Sequence, residues 1–186
     1  MRDLIVTQNI TLDGVIDAAE GWFDVVGGAD VDQSDLDAAL HEQQGAADAF
    51  LVGRVTFEQM RGYWPLQTDD TTGVTEYLNR VSKYVVSGTL DDPGWENSTV
   101  LRGPLEDDIR ALKAAEGADI VTTGSIMLVH ALVAAGLVDE YRLLVYPVVL
   151  GRGARLFADA TRVPPLKLAE TRPFRNGVVL LRYRPT

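Results

Sequence analysis

The sequence predicts an α/β fold: one domain over residues 1–186, built on a mixed sheet of about eight strands. Three observations predict it. Between residues 50 and 140, short apolar runs alternate with helix-like segments, the pattern of a mainly parallel sheet covered on both faces. Beyond residue 140 the alternation stops, and Arg175-Asn176-Gly177 sits between two strand-like runs, a strong signal for an antiparallel C-terminal hairpin. Finally, 186 residues with 46% apolar content suffice for one sizeable core and leave little room for a second.

The strand-like runs fall at residues 4–7, 50–52, 84–86, 99–101, 119–122, 141–150, 166–171 and 178–183. Four helices are predicted between them. Ser34 reads as an N-cap with Asp37 in the capping-box position, opening a helix to about Asp48. Thr56 with Gln59 gives a second capping box. Pro104 opens a third helix with Leu105, Ile109 and Leu112 on one face. Its acidic first turn and later Lys113 complement the helix dipole. Ser125 opens a fourth, which carries Leu128, Val129 and Leu132 and ends at Gly136.

Composition excludes several function classes. A net charge of −10 opposes a general nucleic-acid surface. No run is long and apolar enough for a membrane helix, and MRDLIVTQN does not read as a signal peptide. Cysteine is absent, which excludes disulfides, thiol catalysis and thiolate metal sites and suits a cytoplasmic location. His41 and His130 are far apart without metal-ligand spacing, so no metal is expected.

Three strand-to-helix junctions carry chemistry. In open α/β sheets, ligands sit beyond the C-terminal strand ends, where helix N-termini point unpaired amides. At Gly53-Arg54-Val55-Thr56, a glycine allows close backbone approach and the guanidinium can fork to phosphate. At Thr122-Thr123-Gly124-Ser125, a buried strand ends in a small, hydroxyl-rich turn that opens the fourth helix, with backbone amides free for a pyrophosphate. Ser87-Gly88-Thr89 ends another strand in the same manner. The competing reading of each is an ordinary loop, since a glycine after a strand is common. Neither GxGxxG nor GxxxxGK[ST] occurs at any of them.

Taken in order, TQNITLDGVID, FLVGRVTFEQM, KYVVSGTL and IVTTGSIMLVHALVAAGLVDEYRLLVYPVVLGRGARLF resemble the dihydrofolate-reductase-like family. The match is to its riboflavin-biosynthesis reductase (RibD C-terminal) branch. The resemblance covers nearly the whole chain. It implies a three-layer α/β/α fold, NADPH as hydride donor (NADH not excluded) and a homodimer. It further implies that Gly53, Arg54, Val55 and Thr56 hold cofactor phosphate and that Ser87 and Gly88 pass the adenosine ribose. By the same resemblance, Thr123, Gly124, Ser125 and Ile126 lie under the pyrophosphate, and Asp13-Gly14 belongs to the loop near nicotinamide and substrate. The implied activity is like that of 5-amino-6-(5-phosphoribosylamino)uracil reductase or dihydrofolate reductase.

The departures from the family pattern matter as well. Val55 stands where many relatives carry a basic residue, and Ser87-Gly88-Thr89 has no cation for a 2′-phosphate, leaving Lys83 and Arg102 as substitutes. A zinc deaminase half would need HxE and PCxxC, which a cysteine-free chain lacks. Hydride transfer needs positioning, water exclusion and one proton donor. Asp13 is the first candidate for the donor and Asp37 the second, the latter equally readable with Asp35 as helix-start charge. Asn9 and Gln8 are candidates for substrate contact. Trp22, Phe23 and Trp64 read either as ring walls or as core. Two other readings remain open: a cofactor-binding module without reductase activity, and a structural homodimer joined through Tyr146-Pro147-Val148-Val149-Leu150.

Overall fold

The computed structural model describes residues 1–18, 21–23, 31–70, 72–157 and 163–186. The chain runs β1 (Leu4–Thr11), α1 (Ser34–Gly45), β2 (Ala47–Gly53), α2 (Arg54–Tyr63), α3 (Val74–Arg80), β3 (Ser82–Val86) and β4 (Ser98–Leu101). It continues through α4 (Leu105–Ala114), β5 (Asp119–Thr122), α5 (Ile126–Ala134), β6 (Glu140–Tyr146), β7 (Leu166–Pro173) and β8 (Val179–Pro185). The eight strands form one sheet in the order β4-β3-β2-β5-β1-β6-β8-β7. Strands β1 to β6 pair in parallel, while β8 runs antiparallel between β6 and β7. The Asn-Gly turn does close the β7–β8 hairpin: the Phe174 amide donates to the Val178 carbonyl at 2.8 Å.

Alternation along each strand sorts the side chains into layers. Leu51 and Leu143 face α4 and α5, packing with Ile109, Leu112, Val129 and Leu132. Their neighbours face the other way. Phe50 and Val52 meet Phe57 of α2 and Leu78 of α3, and Leu144 meets Leu36 and Ala39 of α1. The result is a three-layer α/β/α stack with helices on both faces of the sheet. No helix among the described residues is long and apolar enough to cross a membrane.

Four local expectations need correction. The run 141–150 is not one strand. β6 stops at Tyr146 because Pro147 has no amide to donate, and the chain turns so that Leu12 donates to the Val148 carbonyl at 2.9 Å. α1 ends at Gly45 rather than near Asp48, because Ala47 already joins β2. Ser34 does not cap α1: its hydroxyl donates to Asp32 Oδ1 at 2.7 Å, and the helix cap is Gln33. α2 begins at Arg54, two residues before the expected cap, because Gly53 takes that position in extended backbone. α3 was not anticipated at all. Its seven residues are too few to show a helical period.

Candidate functional site

The parallel strand ends, Gly53, Val86 and Thr122, lie on one edge of the sheet together with the end of β1. Above them opens a cleft of about 1280 Å³. All three predicted junctions contribute to its lining, through Gly53, Arg54, Val55 and Thr56, through Ser87, Gly88 and Thr89, and through Thr123, Gly124, Ser125 and Ile126, while Thr122 stays buried at the end of β5. From other parts of the chain the fold brings Gln8, Asn9, Trp22, Phe23 and Trp64.

Side-chain hydroxyls and one amide lock these turns together. The Gly53 amide donates to Ser125 Oγ at 3.0 Å, and the Ser125 amide donates to Thr56 Oγ1 at 3.1 Å. Gln8 closes both backbone groups of Gly124: its Nε2 donates to the Gly124 carbonyl at 2.9 Å, and its Oε1 accepts from the Gly124 amide at 3.2 Å. Gly124 and Ser125 are successively left-handed, with φ 59° and 45°. Glycine is favoured at 124, where φ is left-handed and a Cβ would stand a tight 3.3 Å from Thr56 Cγ2. Serine at 125 holds a conformation that L-residues rarely adopt, retained by these cross-links. At Gly53 the backbone is ordinary (φ −80°) and a Cβ would make only ordinary contacts. The protein itself does not require glycine there.

The locking has an electrostatic consequence. Ser125 and Thr56, the two residues expected to cap α5 and α2, use their hydroxyls on each other's turns. Neither helix receives a side-chain cap. The first-turn amides of both helices, Arg54 to Thr56 and Ile126 to Leu128, have no partner four residues back. Two helix N-termini therefore present unpaired N–H groups to one cleft, an arrangement that favours an anion. Arg54 adds a cation, although its Nη1 is engaged by Glu58 Oε2 at 2.8 Å one turn along α2.

Several expected site residues lie elsewhere. Asp13 does not line the cleft. Its Oδ1 accepts from Thr11 Oγ1 at 2.6 Å and from the Leu150 amide at 3.3 Å, and its Oδ2 accepts from the Gly151 amide at 2.8 Å. The Thr11 hydroxyl and the Gly151 amide hold its carboxyl down at about 2, the opposite of a group poised to donate a proton. Asp13 fastens the segment after β6 to the turn after β1, and Gly14 (φ 85°) shapes that turn without reaching the cleft lining. Asp37 is exposed on α1, because its predecessor Leu36 points into the core and the next position rotates outward. Lys83 is no substitute cation. It is buried with Nζ donating to the Leu78 and Val81 carbonyls at 2.6 and 3.0 Å, 4.8 Å from the Trp95 ring, and burial pulls its pKa down to about 8. Arg102 donates to the Leu90 carbonyl and lies outside the lining.

Trp22 unites its two readings. It is only 3% exposed and packs edge-on against Tyr146 at 5.4 Å, yet it also borders the cleft. Trp64 likewise packs edge-on against Tyr63 at 5.1 Å and borders the cleft. The lining also includes residues that sequence reasoning passed over: Ile16, Asp17, Gln59, Met60 and Met127. Asp17 sits in a loop, where no periodicity marks direction. Its place is set by the Trp22 indole, which donates to the Asp17 carbonyl at 2.6 Å.

Comparison with known proteins gives one consistent relationship. The chain is 32% identical over 185 residues to the uncharacterized protein YyaP of Bacillus subtilis (strain 168), covering 98% of this chain and 94% of that one. It is 28% identical over 179 residues to YwjB of the same organism, also uncharacterized, covering 96% of each. Among solved structures, a putative riboflavin biosynthesis protein from Shewanella sp. PV-4 superposes with TM-score 0.74 at 19% identity, over 99% of both chains. The Thermotoga maritima diaminohydroxyphosphoribosylaminopyrimidine deaminase/5-amino-6-(5-phosphoribosylamino)uracil reductase superposes with TM-score 0.66 at 16% identity, over 100% of this chain but 57% of its own. Those likenesses are ones of fold. The family model for the RibD C-terminal domain matches residues 2–180, nearly the whole chain. By that match, and by the shared fold that surrounds the cleft, the protein belongs to the RibD C-terminal domain family.

Proposed function

We propose that the protein is a cytoplasmic NAD(P)H-dependent reductase that transfers hydride to a small heterocyclic substrate. The observation that carries this is the pair of uncapped helix N-termini, α2 and α5, opening with Arg54 into one large cleft. A dinucleotide fits that chemistry: first-turn amides and the Arg54 guanidinium would hold its phosphates, and Gly88, with open space where a Cβ would stand, would let it pass close to the backbone. When bound, the reduced nicotinamide supplies hydride. The residues of this chain bind, orient and exclude water. Trp22, Phe23 and Trp64 give the cleft aromatic lining against which a substrate ring would pack, and Asn9 offers a carboxamide that can donate and accept.

Family membership supports the reductase class, and NADPH is the proposed donor. The test is nicotinamide oxidation, followed by absorbance, across ribosylaminouracil, pterin and cyclic imine substrates. Turnover with one class supports the reading. Tight cofactor binding with no oxidation across the panel would leave the protein as a cofactor-binding module. The homodimer is likewise proposed, through the 146–150 segment, where Val149 is 67% exposed. A monomer by sedimentation would overturn it.

A further inference from the structure

A second pocket, of about 260 Å³, lies between α1 and the sheet and shares no lining residue with the cleft. Its place follows from the sequence of α1. The helix face that begins with Leu36 in the core continues through Ala39, Gln43 and Ala46, whose short or polar side chains leave room above the sheet. Beneath them the register of β6 and β8 sets Arg142 opposite Arg182, a like-charged cross-strand pair, and Glu140 Oε1 accepts from both at 2.6 and 2.8 Å. The described lining carries three guanidiniums, Arg142, Arg172 and Arg182, and three carboxylates, Glu42, Asp119 and Glu170. Arg182 is fully committed, with Nη1 donating to Glu170 at 2.8 Å and both Nε and Nη2 donating to Glu140. Arg142 has capacity left. It is 5% exposed, only its Nε donates among the described residues, and its Nη2 stands 3.9 Å from Asp119 Oδ2, beyond hydrogen-bond reach. Arg172 holds Glu42 loosely, at 3.4 Å. Burial and the neighbouring Asp3 carboxylate push the Asp119 carboxyl up from its usual range.

We propose that this pocket binds a small zwitterion of the α-amino acid class, its carboxylate held by Arg142 and Arg172 and its ammonium by Asp119. A buried guanidinium with spare N–H groups gains from a carboxylate, whose two oxygens match its forked donors. Asp119 gains from a cation set beside it, because its surroundings disfavour the lone negative charge. These two groups stand 3.9 Å apart, so one molecule with both charges on neighbouring carbons serves both. The balanced lining also rejects simpler ions. Three carboxylates oppose a plain anion, and three guanidiniums oppose a plain cation. The volume suits a molecule below drug size, since drug-sized ligands occupy about 300–1,000 Å³. Asp119 opens β5, whereas the cleft lies past the other end of that strand, at Thr123. The inference is therefore independent of the dinucleotide reading.

The probes are the twenty standard L-amino acids, with propionate and ethylamine as alanine stripped of its ammonium or of its carboxylate. Binding is followed by thermal melts and then by calorimetry, in wild type, Asp119→Asn, Arg172→Gln and Arg54→Ala. At least one amino acid should bind wild type saturably, about tenfold or more tightly than either fragment. Asp119→Asn should weaken that amino acid about tenfold, the size of a lost charge-assisted hydrogen bond. Its melting temperature should hold, because the substitution removes a charge that the surroundings disfavour. Arg172→Gln, at a partly exposed position, should weaken the amino acid severalfold, and it carries the test should Asp119→Asn melt early. Arg54→Ala, in the cleft, should leave the affinity unchanged. No saturable binding by any amino acid, propionate binding as tightly as the best of them, or unchanged affinity in Asp119→Asn overturns the proposal. So does loss of binding in Arg54→Ala, which would place the ligand in the cleft.

Discussion

The amide of Gly53 donates to the hydroxyl of Ser125 at 3.0 Å, across 72 positions of sequence. This bond ties the turn after β2 to the turn after β5 and takes from α5 the hydroxyl that would ordinarily cap it. Ser125→Ala should therefore cost about 1–2 kcal/mol in chemical denaturation, the penalty of leaving a partly buried amide unpaired. Ser125→Gly should cost less, because glycine adopts φ 45° without strain. Equal losses for the two variants would mean that the left-handed backbone is not strained.

Glu58 competes for Arg54. Exposed i,i+4 pairs are worth only a few tenths of a kcal/mol, so Glu58→Gln should leave stability nearly unchanged. Dinucleotide affinity should rise severalfold, because the guanidinium no longer has to leave a partner. An unchanged affinity would place the phosphates away from Arg54.

Asp13 makes a prediction in pH. Its carboxyl is held below the ordinary value of 3.8, at about 2, by the Thr11 hydroxyl and the Gly151 amide. A depressed folded-state value means that the contribution is present above pH 3.8 and is lost as pH falls toward 2. Asp13→Asn should be less stable than wild type at neutral pH, with the gap closing over that window in denaturation series. A gap constant down to pH 2 would show that the charge is irrelevant.

Glu140 is fully buried and accepts from three guanidiniums, Arg142 at 2.6 Å, Arg182 at 2.8 Å and Arg184 at 2.9 Å. Burial alone would raise its pKa. The hydrogen bonds from Arg182 and Arg142 outweigh that and hold it at about 2 instead of 4.5. Glu140→Gln should cost about 3–5 kcal/mol, because it leaves the buried Arg142 guanidinium without its close carboxylate partner and weakens the pairing of the half-buried Arg182. Wild type should lose the same contribution between pH 4.5 and 2. A loss under 1 kcal/mol by denaturation would mean that water replaces the carboxylate cheaply.

Much of this architecture was legible in the sequence where the signal is local. Asn176-Gly177 marked the hairpin, and the strand-to-helix alternation marked the parallel sheet. The three junctions stood out because each places small polar residues at a strand end. What stayed hidden depends on partners distant in sequence. Thr56 and Ser125 look like caps when read locally, yet each spends its hydroxyl on the other's turn. Gln8 looks available for a substrate, yet both ends of its amide are used on Gly124, 116 positions away. Asp13 belongs to the expected loop but points at the amides of residues 150 and 151, whereas Asp17, four positions on, borders the cleft.

The proposed reaction depends first on the dinucleotide cradle between α2 and α5. The most direct test is a fluorescence titration of the purified protein with NADPH and NADH, repeated on Arg54→Ala. Saturable NADPH binding that weakens by about 1–3 kcal/mol in the variant, the size of a lost charge-assisted hydrogen bond, is the predicted result. Failure of both nucleotides to bind wild type, or identical binding by the variant, would contradict it.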